Sequence, residues 1–155
     1  MTREQILKEI RPYFDIDELV CDHVYAKWGE RSWRFLDTMW LWCLLVIRRD
    51  IVKAPMYCNS KTAHQRGFRC NQCQLVKTAK GVYVTPHGLG KAGDFTSSVP
   101  TMTAAKMRQL IKDNAHLLPC KVRLEKWDSS GKEINWLHFD TIDEPQNPKV
   151  YEFKA

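Results

Sequence analysis

Residues 85–94 read Thr-Pro-His-Gly-Leu-Gly-Lys-Ala-Gly-Asp, which places His87 and Asp94 on either side of a stretch rich in small residues. A catalytic zinc takes three protein ligands from His, Asp, Glu or Cys and keeps a fourth position for water. Both residues are of the right type, and the intervening glycines let the backbone turn so that both can reach one ion. An arbitrary histidine and aspartate at this spacing form only a turn and a loop, so the reading needs a third ligand. The segment Asn135-Trp136-Leu137-His138-Phe139-Asp140 offers His138 on a predicted strand.

Side chains alternate along a strand, which fixes what shares a face with His138. With Val122 and Leu124 facing the core beside Leu137 and Phe139, the opposite face carries Arg123, Glu125 and Trp127 next to Trp136, His138 and Asp140. Zinc lowers the pKa of a bound water to about 7, and a nearby Glu can take that proton and pass it to a leaving amine. The chemistry is amide hydrolysis, with Glu125 as the preferred general base. Glu133 is the rival, nearer in sequence, but its parity sets it with Leu137 unless a bulge intervenes. Asp140 has two readings, an orienting partner for a ligand or a solvated strand-end carboxylate.

The elements that must hold these groups are legible in outline. Thr2 and Gln5 fit a capping box, and Ile6, Ile10 and Tyr13 follow at helical spacing. Residues 14–21, Phe-Asp-Ile-Asp-Glu-Leu-Val-Cys, read as a connection ending in a docked apolar turn. From Arg31 to Asp50, Trp33, Leu36, Trp40, Cys43, Leu44 and Ile47 recur as the stripe of an amphipathic helix packed on a core. Residues 54–59 and 81–86 read as short strands, and Thr103 caps a helix running through Asn114. Lys121 to Trp127 and Ile134 to Asp140 form a hairpin across Asp128-Ser-Ser-Gly-Lys-Glu. This order predicts one α+β domain over residues 1–155, a mostly antiparallel sheet with flanking helices.

A composition of 44% hydrophobic and 27% charged residues fits a packed globular core rather than disorder. The longest apolar run, Met39 to Ile47, is far short of the ~20 residues a membrane span needs. Charges in the first residues leave no apolar core for an export signal, so none is expected. The net charge of +6 favours polyanionic surroundings such as an acidic cell wall, but the basic residues are scattered, and nucleic acid is not the expected partner. Oligomeric state leaves no mark. Cys70 and Cys73 form a C-x-x-C that alone means metal or redox chemistry. Cys21, Cys43, Cys58 and Cys120 provide no second cysteine pair at zinc-ligand spacing, and no strand pattern precedes the motif, so structural cysteines are expected.

The segment 85–94 resembles the S-x-H-x-x-G-x-A-x-D signature of the D-alanyl-D-alanine metallopeptidases, a group that includes VanX-type dipeptidases, phage L-alanyl-D-glutamate endolysins and, more distantly, hedgehog signalling domains. His87, Gly90, Ala92 and Asp94 agree, and Thr85 stands in for Ser. Trp136-Leu137-His138-Phe139-Asp140 is similar to the W-x-H-x-D that supplies the family's last zinc ligand. Arg66-Gly67-Phe68-Arg69-Cys70 is similar to the segment ahead of the first ligand, often Ser-Gly-Tyr-Arg-Ser. The likeness spans about residues 14–141. It implies a hedgehog-like or peptidase-like fold and Zn²⁺ held by His87, Asp94 and His138. It further implies Arg69 as an anchor for a substrate carboxylate or developing oxyanion, and hydrolysis of peptidoglycan stem peptides by a carboxypeptidase or endolysin of phage or prophage type. Such an enzyme would be made in the cytoplasm and act on the wall after release, or ride in the virion. VanX-type members carry the catalytic Glu three residues before the last His, where this chain has Asn135; the hedgehog-like arrangement puts it on the preceding strand, which suits Glu125. The alternative is an inactive zinc module that binds cell wall or a protein partner.

Overall fold

A computed structural model describes residues 1–142 and 144–155. The chain first lays down helices, then the sheet that they back. Helix α1 (Arg3–Ile10) starts at the expected capping box: the Thr2 hydroxyl accepts from the Gln5 amide and the Gln5 side chain accepts from the Thr2 amide. Residues 14–21 hold a short helix, α2 (Ile16–Leu19), where a connection was expected, and Phe14, Ile16, Leu19 and Val20 are buried. Helix α3 (Asp22–Trp28) follows and runs into a 3-10 stretch, Gly29–Phe35.

The expected continuous helix from Arg31 to Asp50 is broken. Asp37 accepts from the amides of Met39 and Trp40 and so starts α4 (Thr38–Val46), which ends in a wider turn, Ile47–Val52. An Asp in extended conformation satisfies the free amides of the first turn better than continued helix would. The apolar stripe is nevertheless core: Trp33, Leu36, Trp40, Cys43, Leu44 and Ile47 are all buried. Trp40 stacks on Phe139 and Phe95 at ring centroid distances of 5.7 and 6.4 Å.

The short α5 (Gln74–Lys77) leads to β1 (Ala92–Phe95), and α6 (Ala104–Asp113) is capped by Thr103 as expected. The hairpin of β2 (Val122–Trp127) and β3 (Glu133–Asp140) forms as expected, although the register shifts after Glu125 so that Trp127 opposes Glu133 and not the Trp136 end of the face, and β4 (Val150–Lys154) closes the sheet in the order β1-β3-β2-β4. β3 pairs antiparallel with β1 and β2, whereas β4 runs parallel to β2, so this α+β domain has a mixed sheet where a mostly antiparallel one was expected. The expected strands at 54–59 and 81–86 do not form: Tyr57 makes an isolated bridge to Thr96, and Val82 is 94% exposed and pairs with no strand among the described residues. Among the described residues no helix is long and apolar enough to cross a membrane.

Candidate metal centre

Strand pairing sets one row of side chains across the whole sheet. Asp94 on β1 opposes His138 on β3, His138 opposes Glu125 on β2, and Glu125 opposes Phe153 on β4. Because partners in register point to the same face, these four groups line one wall, while Leu124, Leu137 and Phe139 fill the apolar side. The next row on this face, Ala92, Asp140, Arg123 and Tyr151, stands directly behind it.

His87 reaches the row from the loop ahead of β1. That loop is wound tightly, with the Lys91 amide bonded to the Pro86 carbonyl and the Gly88 amide to the Thr85 hydroxyl. Gly90 sits at a left-handed φ of 69°, and a Cβ there would lie 2.1 Å from the Phe35 carbonyl oxygen. Only glycine lets the loop seat there, where the Gly90 carbonyl accepts from the Asp37 amide at 2.9 Å.

His87, Asp94 and His138 are all buried, and one ligand atom from each lies within 4.8 Å of the others. Asp94 Oδ1 is 2.7 Å from His138 Nδ1 and 3.6 Å from His87 Nε2. The remaining ring nitrogens are both engaged elsewhere. His87 Nδ1 lies 2.9 Å from the Gly67 carbonyl oxygen, which only accepts, so this nitrogen carries the proton and Nε2 keeps its lone pair for the site. His138 Nε2 lies 3.3 Å from Asp140 Oδ2, which leaves Nδ1 facing Asp94. Histidines that ligate metals are held in this way, with the far nitrogen donating to a carbonyl or carboxylate. The donor set and its supports fit a divalent ion.

Electrostatics point the same way. Burial opposes a charge on His138, but the carboxylates of Asp140 and Asp94 outweigh it and push its pKa up to about 9. Burial lowers that of His87 and keeps it neutral. Asp94 is buried, which works against its charge, yet the hydrogen bond from His138 and the His87 ring beside it hold it well below the usual carboxylate range. The pocket therefore stabilises a cation between Asp94 and its neighbours, the role a metal ion takes. Asp140 is fully buried and gripped by Arg123, whose Nε and Nη2 donate to its two oxygens at 2.8 and 3.0 Å. The solvated strand-end reading of Asp140 is thereby excluded.

The cavity over this row, about 410 Å³, is lined by Arg69, Tyr83, Glu125, Trp136 and Phe153 besides the three ligand candidates. Burial raises the Glu125 pKa, an effect that Asp94 and Asp140 reinforce and His138 and Arg69 oppose. Arg69 donates through Nε to the Gln65 carbonyl at 2.6 Å, and its Nη2 is 3.4 Å from Asp94 Oδ2. The three ligand candidates, Glu125 and Arg69 thus line one cavity. Glu133 does not: it pairs with Arg108 at 2.6 Å beside α6. Asn135 is exposed on that same side.

Phe153 and Tyr83 were not foreseen. β4 carries an alternating Val-Tyr-Glu-Phe-Lys pattern that signals a strand, but nothing local signals its pairing with β2. A second convergent set, Cys21, His23, Cys70 and Cys73, was also missed, because the partner of the C-x-x-C is a Cys-x-His rather than a second cysteine pair. No family model, curated protein or solved structure matches this chain.

Proposed function

We propose that the protein is a zinc-dependent peptidase that hydrolyses amide bonds of bacterial peptidoglycan stem peptides. The observation that carries this reading is the row Asp94, His138, Glu125 on three adjacent strands, completed by His87 from the loop. The resemblance of residues 85–94 and 136–140 to the D-alanyl-D-alanine metallopeptidases supports the substrate class and the hedgehog-like relation of the fold. His87, Asp94 and His138 would hold the ion. When bound, zinc supplies Lewis acidity that brings a water toward ionisation near neutral pH and polarises the amide carbonyl.

The chain's own groups divide the remaining work. Glu125 faces the ligands from the neighbouring strand, and its burial-raised basicity suits it to take a proton from water and hand it to the leaving amine. Arg69 presents a guanidinium at the cavity wall, matched to a substrate carboxylate or an oxyanion. Trp136 and Phe153 give apolar walls that bind the substrate's side chains and limit water. Asp140, fixed by Arg123, holds the His138 ring in position.

Muropeptide digestion by the zinc-loaded protein, followed by mass spectrometry of the products, tests the proposal. Glu125→Gln should keep its metal and lose roughly 10²–10⁴-fold in rate, and His138→Ala should lose both. A zinc-loaded wild type that cleaves no stem peptide, with the Glu125→Gln variant indistinguishable from it, would leave a binding module in place of an enzyme.

A further inference from the structure

Outside that cavity, Cys21, His23, Cys70 and Cys73 bring three sulfurs and an imidazole together. Their ligand atoms all lie within 4.8 Å of one another, with His23 Nδ1 3.8 Å from Cys70 Sγ and 4.0 Å from Cys73 Sγ. In a tetrahedral zinc site, bonds of about 2.3 Å to sulfur and about 2.0–2.1 Å to nitrogen put the ligands roughly 3.5–3.8 Å apart. The two distances from His23 to sulfur exceed this by only a few tenths of an ångström. All three cysteines are free thiols.

The two arms are built to stay together. The Cys21 amide donates to the Phe68 carbonyl at 3.0 Å and the Phe68 amide to the Leu19 carbonyl at 2.9 Å, which ties the Cys-x-His arm to the chain entering the C-x-x-C. Asn59 bridges them again, donating through its side chain to the Val20 carbonyl and accepting from the Arg66 amide. Within the C-x-x-C turn the Cys73 amide bonds to the Cys70 carbonyl, and the Gln72 amide points at Cys70 Sγ from 3.3 Å. An amide aimed at sulfur stabilises a thiolate, the form that ligates metal. Packing alone does not explain the group: His23 is exposed and Cys70 is only partly buried, whereas cysteines retained as small apolar side chains are normally interior.

We propose that Cys21, His23, Cys70 and Cys73 bind a structural zinc ion, a second metal centre separate from His87, Asp94 and His138. Four protein ligands leave no open position, so this ion stabilises rather than catalyses, and a Cys₃His set selects zinc over harder divalent ions. It closes one end of the segment whose middle serves the cavity: the Gly67 carbonyl accepts from His87 Nδ1, and Arg69 immediately precedes Cys70. The existence of this centre is independent of the peptidase reading. Only its influence on Arg69 and His87 rests on that reading.

Metal analysis of the full chain by plasma mass spectrometry tests it, with wild type beside a Cys70→Ser/Cys73→Ser variant and His138→Ala. About two zinc ions per chain are expected, one for each residue group, falling to about one in either variant. Cobalt substitution reads the ligands directly. Wild type and His138→Ala should show intense sulfur-to-cobalt charge-transfer absorption, and the double serine variant should lack it. Where the double variant does not fold, the cobalt spectrum of the wild type and of His23→Ala decides. Absence of sulfur charge transfer in the wild type, or zinc content unchanged in the double serine variant, overturns the proposal. Zinc lost in His138→Ala but not in the double serine variant overturns this centre while leaving the peptidase centre standing; zinc lost in the double serine variant but not in His138→Ala supports this centre and counts against the peptidase one.

Discussion

Alanine at position 67 is a small change with a large expected effect. A Cβ on Gly67 would stand 2.2 Å from the Leu19 carbonyl oxygen and 2.6 Å from its carbon, against roughly 3.3 Å or more for an ordinary carbon–oxygen contact. The obstacle is backbone, so no side chain can swing aside, and the segments around Leu19 and Gly67 must part by about 1 Å. That separation breaks the Phe68-to-Leu19 and Cys21-to-Phe68 hydrogen bonds, now 2.9 and 3.0 Å, and strains the bond from His87 to the Gly67 carbonyl. At about 1 kcal/mol each the three sum to about 3 kcal/mol. The reduced entropy of the unfolded alanine chain returns about 0.4–1 kcal/mol. A net loss of about 2 kcal/mol lowers Tm by roughly 4–8 °C in a domain of this size. With its anchor gone, His87 no longer presents Nε2 rigidly, and zinc affinity should fall roughly 10–100-fold. Thermal unfolding by circular dichroism and a zinc titration against a chromophoric chelator measure the two effects. Gly88→Ala is the control: its added carbon would meet nothing closer than 3.6 Å. A Gly67→Ala protein whose Tm and zinc affinity match those of Gly88→Ala would refute the reasoning.

Three further outcomes are expected. Asp140→Asn should weaken zinc binding by roughly 10–100-fold while the fold is kept, since the amide can still accept from Arg123 but no longer balances the His138 ring as a carboxylate; isothermal titration reads it. Glu133→Gln should leave peptide hydrolysis at the wild-type rate, because that carboxylate faces Arg108 and not the cavity; a fall comparable to that of Glu125→Gln would reverse the assignment of the base. Glu18 has its pKa raised to about 7 by burial, and its Oε1 meets no hydrogen-bond partner among the described residues. Between its ordinary 4.5 and about 7 the folded state keeps a proton that the unfolded state has released, so stability declines as pH rises through that window and levels off above it. Glu18→Gln should gain about 1–2 kcal/mol over wild type at pH 8, after allowance for solvent screening, and nothing at pH 4.5. Urea unfolding across that range would show parallel curves if Glu18 were not the cause.

The hairpin, and with it the site, was legible because period-two alternation fixes faces without reference to anything distant. Leu124, Leu137 and Phe139 could only turn inward together, which sends Glu125 and His138 outward together. The caps at Thr2 and Thr103 were legible for the same local reason. What failed depended on partners far along the chain. Val82, Tyr83 and Val84 have strong strand preference but pair with no strand among the described residues, whereas Ala92 to Phe95 has little preference and is a strand because β3 takes it at the sheet's edge. Asp37 broke the long helical stripe and started the helix afresh at Thr38, since a capping side chain outweighs continued periodicity. The Cys-x-His arm escaped notice because only cysteine pairs signal a zinc cluster at a glance.

The row across the sheet also bears on how the chain reaches its native pairing. A slip of β3 by one residue would turn His138 and Asp140 into the core and Leu137 and Phe139 out, dissolving every interaction between His138 and its neighbours on β1 and β2. An ion that binds only the native register withdraws that state from the equilibrium, by about 4 kcal/mol at a free concentration 1,000 times its dissociation constant. Because the ligands come from a loop, an edge strand and a central strand, metal would proofread the sheet: misaligned chains stay apo, and only correctly threaded ones are locked.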